Sequence, residues 1–416
     1  MFYSKLIFYF YCFLTILAVI CPIKISFLQF LPGILLMWLY YFAFIMGSVK
    51  RGKVNLQGFV PLEYFGGYNK VVIIITILHL FFYPLYINFY TGSSVIEIIG
   101  SLKDGVSTYA LYQRNFEDAG LNAFSLVKLP FIFGNGILRF FFLIAIFRTI
   151  AYGKIIMIHE YICIFLMVSM IIFVGISRGT SFELFDITTV FLFSFAVRRI
   201  LRGYKTMFSN GIVLKIVLFI IVVSGYFAYN ITIRMGDNFS FFDSNDFDKA
   251  SIVYQISKPM SLVLYMLYSY FLFGLHYTSV LISELFLGSV EGFFVALIPD
   301  GITILDGDID FSVYVNRFID IGVMWRPDSA FIIQNFGILL VFLMIYLLGF
   351  FSKYLSGLIC NNLSSLVVLY FIFYFFLSLP VGSFIIVSSA NQIAIVLGLL
   401  TLKRNSFFKL LKNKNK

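Results

Sequence analysis

Arginines carry the first chemical suggestion in this chain. Arg178 stands in "SRGTSFELFD" (177–186), Arg234 in "ITIRMGDN" (231–238) and Arg326 in "WRPDSAFIIQNFG" (325–337), and Arg114 and Arg317 lie in further polar stretches. A guanidinium is planar, permanently charged and able to hold two oxygens of one phosphate at once. Arg178 and Arg234 fall within a few residues of long apolar runs, and Arg326 lies shortly before another. Such groups gathered at one depth of a bilayer would suit a lipid whose pyrophosphate lies at that depth.

Other chemistries lack their residues. No phosphate-cradling GxxxxGK[ST], no GxGxxG and no HExxH occurs. "DGDID" (306–310) spaces aspartates like a calcium loop, but the required glycine does not follow and the twelfth position is Arg317 rather than a glutamate. His79, His159 and His276 are too dispersed for a metal centre. Cys12, Cys21, Cys163 and Cys360 form no CxxC pair and read as small apolar residues in helices.

The elements that hold these arginines follow from composition. Of 416 residues 61% are hydrophobic and 12% charged, far from the roughly one-quarter charged share of soluble domains. Apolar runs of about 20 residues recur, each long enough to cross a bilayer as a helix. They show no period-two alternation, so they read as helices rather than barrel strands. The expected fold is an all-α polytopic membrane protein forming one integral domain over 1–416. Spans are expected at 4–22, 27–47, 71–91, 127–147, 155–176, 184–200, 213–230, 336–352, 361–379 and 383–401. A further apolar stretch, 260–299, reads as interfacial or re-entrant helices, with two extra spans as the alternative; the count is ten to twelve. The first run is kept as a retained span, because "ICPIK" is a poor cleavage site.

Charge sets the orientation. With both termini cytoplasmic, Lys50, Arg51, Lys53, Arg148, Lys154, Arg198, Arg199 and Arg202 fall in inner loops, and the basic tail 403–416 is inside. Of the 20 acidic residues, only Glu63 and Glu160 belong to the inner half. The excess of basic residues, 30 against 20, therefore speaks to membrane orientation and headgroups rather than to nucleic acid. Two outer segments are long, 92–126 and 231–335, and the named arginines are outer ones, against the usual trend. Arg139 is a charge within a span. It follows the Gly-Asn-Gly of "FIFGNGILRFFF" (131–142), where an irregular helix is expected to turn it into the protein.

With this layout, the short outer loop "SRGTSFELFD", and the long late loop opening "ITIRMGDN" and ending "WRPDSAFIIQNFGILLVF", the chain resembles the Wzy-type O-antigen polymerases, the oligosaccharide repeat-unit polymerases. Arg326, ten intervening residues and Gly337 match the R-x10-G arrangement described in that family. Arg178 and Arg234 lack it, since Thr189 and Asn245 stand at the corresponding positions.

The resemblance implies a membrane glycosyltransferase fold of the GT-C-like type in the bacterial inner membrane, using no nucleotide sugar, metal or other cofactor. Its substrate would be a polyprenyl-pyrophosphate-linked oligosaccharide. The growing chain would be transferred on the periplasmic face to the hydroxyl of an incoming repeat, with polyprenyl pyrophosphate leaving. Membrane lipid and a chain-length regulator protein are the implied partners. Arg178 and Arg234 would stabilise the charge on the leaving group, and Arg326, Arg317 and Arg114 would hold substrate. His276, beside Tyr268, Tyr270 and Tyr277, is the candidate general base, with Asp237 and Glu291 as rivals. Tyr268 would stack on sugar. The related O-antigen ligase, a lipid-linked oligosaccharide flippase, and an unrelated transporter or acyltransferase are the alternatives.

Overall fold

The computed structural model of the chain describes residues 2–49, 68–103, 112–115, 126–153, 158–180, 182–203, 247–288, 327–359, 362–386 and 388–413. Within them the chain is helical and contains no strand, apart from one isolated bridge between Ile23 and Phe247. The helices are α1 (Phe2–Ile20), α2 (Phe27–Val49), α3 (Tyr68–Thr91), α4 (Val95–Lys103), α5 (Leu129–Ile146), α6 (Ile158–Ser177) and α7 (Phe182–Leu201). They continue as α8 (Ile252–Ile256), α9 (Lys258–Leu267), α10 (Phe273–Gly288), α11 (Asp328–Leu358), α12 (Leu363–Ser378) and α13 (Ser389–Asn413). α5 runs on through a π-helical turn, Phe147–Tyr152, and a second such turn, Tyr268–Leu272, joins α9 to α10.

Seven helices among the described residues are long and apolar enough to cross a membrane, and α12 and Ser389–Leu402 are shorter apolar helices. The chain is thus an all-α, multi-pass membrane protein. Nine of the ten expected spans coincide with helices; the tenth, 213–230, lies outside the described residues, as do most of the expected loop 231–335 and part of 92–126.

One expectation is narrowed and one corrected. Within 260–299, expected as interfacial or re-entrant helices with spans as the alternative, Met260–Ser283 is long and apolar enough to cross a membrane, and α10 packs against α2. The Cys21 thiol reaches the Leu264 carbonyl at 3.2 Å, and Ser279 Oγ donates to the Phe30 carbonyl and accepts from the Gly33 amide. The Gly-Asn-Gly before Arg139 does not break its helix. α5 passes through it, because Gly134 and Gly136 make room for Phe82 of α3 and Ile393 of α13. The irregularity falls later, at 147–152.

Small residues set the tightest crossing. Gly47 of α2 lies under the Tyr346 carbonyl of α11, and Gly349 lies under the Phe44 carbonyl of α2. Without a hydrophobic drive between helices in lipid, such close backbone approach is what holds two spans together. α12 is the axis of the bundle: every residue of it but Phe375 is buried. An all-round apolar helix is what such a site requires.

α12 stops early. The Tyr11 hydroxyl, midway along α1, donates to the Phe376 carbonyl, so the turn after α12 lies inside the bundle. Its residues Leu379, Val381, Phe384 and Ile385 are buried. Irregular backbone at that depth needs partners from the protein. Asp328 supplies them, accepting from Ser378 Oγ at 2.5 Å and from the amides of Ile385 and Ile386 at 3.4 Å. Asn391 donates to the Phe384 carbonyl, and Ser329 N to that of Leu379.

Candidate functional site

The chemistry-bearing side chains gather where α3, α5, α6 and α7 meet. α6 ends with Gly179 at φ 61°, a conformation that ends a helix without a Cβ penalty, and Thr180 N returns to the Gly175 carbonyl at 2.8 Å. This tight turn leaves Arg178 between two helix ends. Its Nη1 lies 3.2 Å from Glu183 Oε1, and Thr180 Oγ1 donates to Glu183 Oε2 at 2.8 Å. The room for Glu183 comes from Gly175, where a Cβ would meet Oε2 at 2.9 Å.

The outer face of the guanidinium is aromatic. Its carbon stands 5.3 Å from the Tyr112 ring centre, and Tyr86 and Tyr90 of α3 lie within its electrostatic reach. The Tyr86 and Tyr90 rings are 4.6 Å apart, and both are half-buried. Arg178 Nε has no hydrogen-bond partner among the described residues.

One helical turn further along α7, Asp186 pairs with Arg139 of α5, and both side chains are over nine-tenths buried. Tyr370 of α12 donates to Asp186 Oδ1 at 3.2 Å, and Thr189 stands 3.0 Å from the Tyr370 hydroxyl. The Arg139 guanidinium also lies 5.9 Å from the ring centres of Phe142 and Tyr370. Between the two ion pairs Tyr83 of α3 reaches Asn135 Oδ1 at 3.2 Å. Beyond Arg139 the seam is closed by aromatic rings: Phe147 and Phe193 stand 5.8 and 5.5 Å from Tyr370, and Phe373 stacks on Phe193 at 5.4 Å. The result is a polar seam, open at the Arg178 end, whose two guanidiniums are matched by two carboxylates.

Arg139 is turned into the protein, as its cost in lipid demands. The sequence reading had not paired it with Asp186, nor singled out Glu183, Tyr83, Tyr86, Tyr90 or Tyr112. The tyrosines of α3 are spaced as one helix face, and that spacing was available in the sequence.

The other sequence candidates lie elsewhere. His276 is on α10, its ring 5.3 Å from Phe30 of α2, and Tyr268 is buried against the same Phe30 ring at 6.4 Å. These two share a neighbourhood with each other, on the α2 side of the bundle, and no contact among the described residues links them to Arg178. Arg114 is exposed in 112–115, two residues beyond Tyr112. Arg234, Arg317 and Arg326, with the rivals Asp237 and Glu291, lie outside the described residues. Among the described residues no three His, Cys, Asp or Glu side chains are grouped to hold a metal ion. A small cavity of about 10 Å³ between α2, α10 and α11 is lined mainly by apolar groups, with the Thr278 and Ser329 hydroxyls at its wall.

Compared with known proteins, the chain matches no family model, no curated protein and no solved structure.

Proposed function

We propose that the protein is a membrane glycosyltransferase that polymerises polyprenyl-pyrophosphate-linked oligosaccharide repeats at the Arg178 end of the bundle, the periplasmic face of a bacterial inner membrane. The observation that supports it best is the setting of Arg178. Glu183 accepts from Nη1, the Tyr112 hydroxyl also bonds the guanidinium and its ring covers a face, so the group is held in place while its side chain stays 30% exposed toward a ligand. A fixed cation at the place where charge develops stabilises a transition state with little reorganisation.

The reaction on this reading is a displacement at the anomeric carbon of the growing chain. An acceptor hydroxyl oxygen forms the new bond, the bond from that carbon to the phosphate oxygen breaks, and its electrons leave with polyprenyl pyrophosphate. Arg178 holds the phosphate oxygens as their charge rises, with Arg234 and Arg326 as further arms. The acceptor proton passes to a base, for which Asp237 and Glu291 are the candidates; His276, packed against Phe30 on the α2 side, could serve only if the acceptor reaches it from there.

The test is chain length in a strain carrying the gene. Arg178→Ala should leave the protein folded and inserted yet abolish long polymer. Loss of one charged contact to phosphate costs a few kcal/mol, about 100-fold or more in rate. Arg178→Lys keeps the charge without the planar fork and should be intermediate. Normal chain length in Arg178→Ala at normal expression refutes the role. Deletion of the gene separates the relatives: a single repeat left on the core points to polymerase, and bare core to ligase or flippase.

A further inference from the structure

The seam contains more than an anion site needs. A wall for phosphate alone would be expected to carry unmatched cations. Here Arg178 faces Glu183 and Arg139 faces Asp186, so the described charges of the seam cancel. What the open end offers is different: a guanidinium whose side chain is 30% exposed, backed by the buried Glu183 carboxylate and flanked by three half-buried tyrosine rings. Guanidinium N–H groups donate to sugar oxygens, and tyrosine hydroxyls both give and take hydrogen bonds. Aromatic faces with a polar rim match the C–H faces of a pyranose ring.

We propose that Tyr86, Tyr90 and Tyr112, with the Arg178–Glu183 pair, form the subsite for the hexopyranose bonded directly to the pyrophosphate. The inference rests on the reading of Arg178 as a phosphate-holding group. If the guanidinium grips the pyrophosphate, the first sugar is only a bridging oxygen away and must lie against the groups next to it. Those groups are the rings of Tyr112, Tyr86 and Tyr90. Depth is constrained too: Tyr83 is buried and tied to Asn135, and Arg139 and Asp186 are buried below it, so a ring would sit at the mouth of the seam and not further in. In this subsite the exposed part of the Arg178 guanidinium, fixed from behind by Glu183, donates to sugar oxygens and the tyrosine faces pack on the ring.

The experiment uses the full chain in lipid nanodiscs. Its probes are a polyprenyl pyrophosphate and a panel of the same lipid bearing one glucose, galactose, N-acetylglucosamine or N-acetylgalactosamine. The expected result is that at least one glycosylated member binds about tenfold more tightly than the bare lipid, the scale of one good aromatic contact set. Tyr86→Leu and Tyr90→Leu should remove that gain while leaving bare-lipid affinity unchanged, which also certifies the fold. Tyr86→Phe should keep it. Arg178→Ala should weaken bare and glycosylated lipids alike. The inference is overturned if no sugar adds affinity, if the gain survives both leucine variants, or if a leucine variant weakens both lipids equally. Failure of the Arg178 reading looks different: Arg178→Ala then binds the bare lipid as wild type does.

Discussion

The Arg139–Asp186 pair gives a test that depends on no functional assignment. Both side chains are over nine-tenths buried, and Asp186 also takes the Tyr370 hydroxyl. Removing one partner strands a charge inside the bundle, at a cost of about 3–5 kcal/mol. With the unfolding entropy of a chain this size, that is a fall in thermal midpoint of about 5 °C. The two single variants should differ. Asp186→Leu leaves a guanidinium that cannot shed its proton. Arg139→Met leaves a carboxyl that can become neutral by taking one, so its loss should be smaller. The double variant Arg139→Met/Asp186→Leu removes both charges and should lie closer to wild type than Asp186→Leu does, since burying apolar groups of similar volume replaces a buried pair at little cost. The assay is the midpoint of heat-induced loss of the monodisperse peak for detergent-solubilised fluorescent fusions. A wild-type midpoint in Asp186→Leu, or a double variant as unstable as that single, refutes the buried pair.

Three further outcomes are expected. Gly349→Val and Gly47→Leu should abolish the monodisperse fraction, because even a Cβ would fall 2.2 and 2.0 Å from a carbonyl oxygen of the facing helix; normal yield of either variant counts against the α2–α11 crossing. Asp328 accepts from Ser378 Oγ and the Ile385 and Ile386 amides inside the bundle, so Asp328→Ala strands these donors and should lower the thermal midpoint, at a cost of about 1–3 kcal/mol; an unchanged midpoint argues against that role. For orientation, Ser94→Cys and Arg202→Cys lie exposed at opposite ends of the bundle. In intact spheroplasts an impermeant thiol reagent should label the first and not the second; the reverse pattern inverts the topology.

Much of the bundle was legible because lipid leaves the backbone one economical answer, and apolar runs of span length report it directly. The sequence left 260–283 between an interfacial and a spanning reading for a specific reason. No Lys or Arg lies between Lys258 and Arg317 to mark an inner turn. What holds that helix in the bundle is packing: Gly33 beside Leu275 and Ser279, and Gly274 against the Pro380 and Val381 carbonyls. Contacts between residues so far apart in sequence leave no local pattern. The same holds for Arg139. That it must face inward follows from the cost of a guanidinium in lipid, but its partner stands 47 positions away on a helix whose neighbour relations no spacing encodes. Tyr83, Tyr86 and Tyr90 do share a helix face, yet among 27 tyrosines and 54 phenylalanines that periodicity is hard to separate from general aromatic richness.

The distribution of charge also bears on which class of activity the bundle favours. A carrier that moves a polar lipid from one side to the other needs a polar path that opens to both. In the described residues the Arg178–Glu183 and Arg139–Asp186 pairs belong to one end, and Arg148 and Glu160, 3.7 Å apart, belong to the other. Between them stands a layer of rings, Phe147, Phe193, Tyr370 and Phe373, packed on one another at 5.4 to 6.5 Å. A substrate passing through would have to part that layer and strand the charges above it. A reaction confined to the Arg178 end asks nothing of the layer except that it stay shut, because dry walls below the seam strengthen every interaction a guanidinium makes with an anion at its mouth. Among the described residues, this is the arrangement that the proposed reaction at the Arg178 end would need.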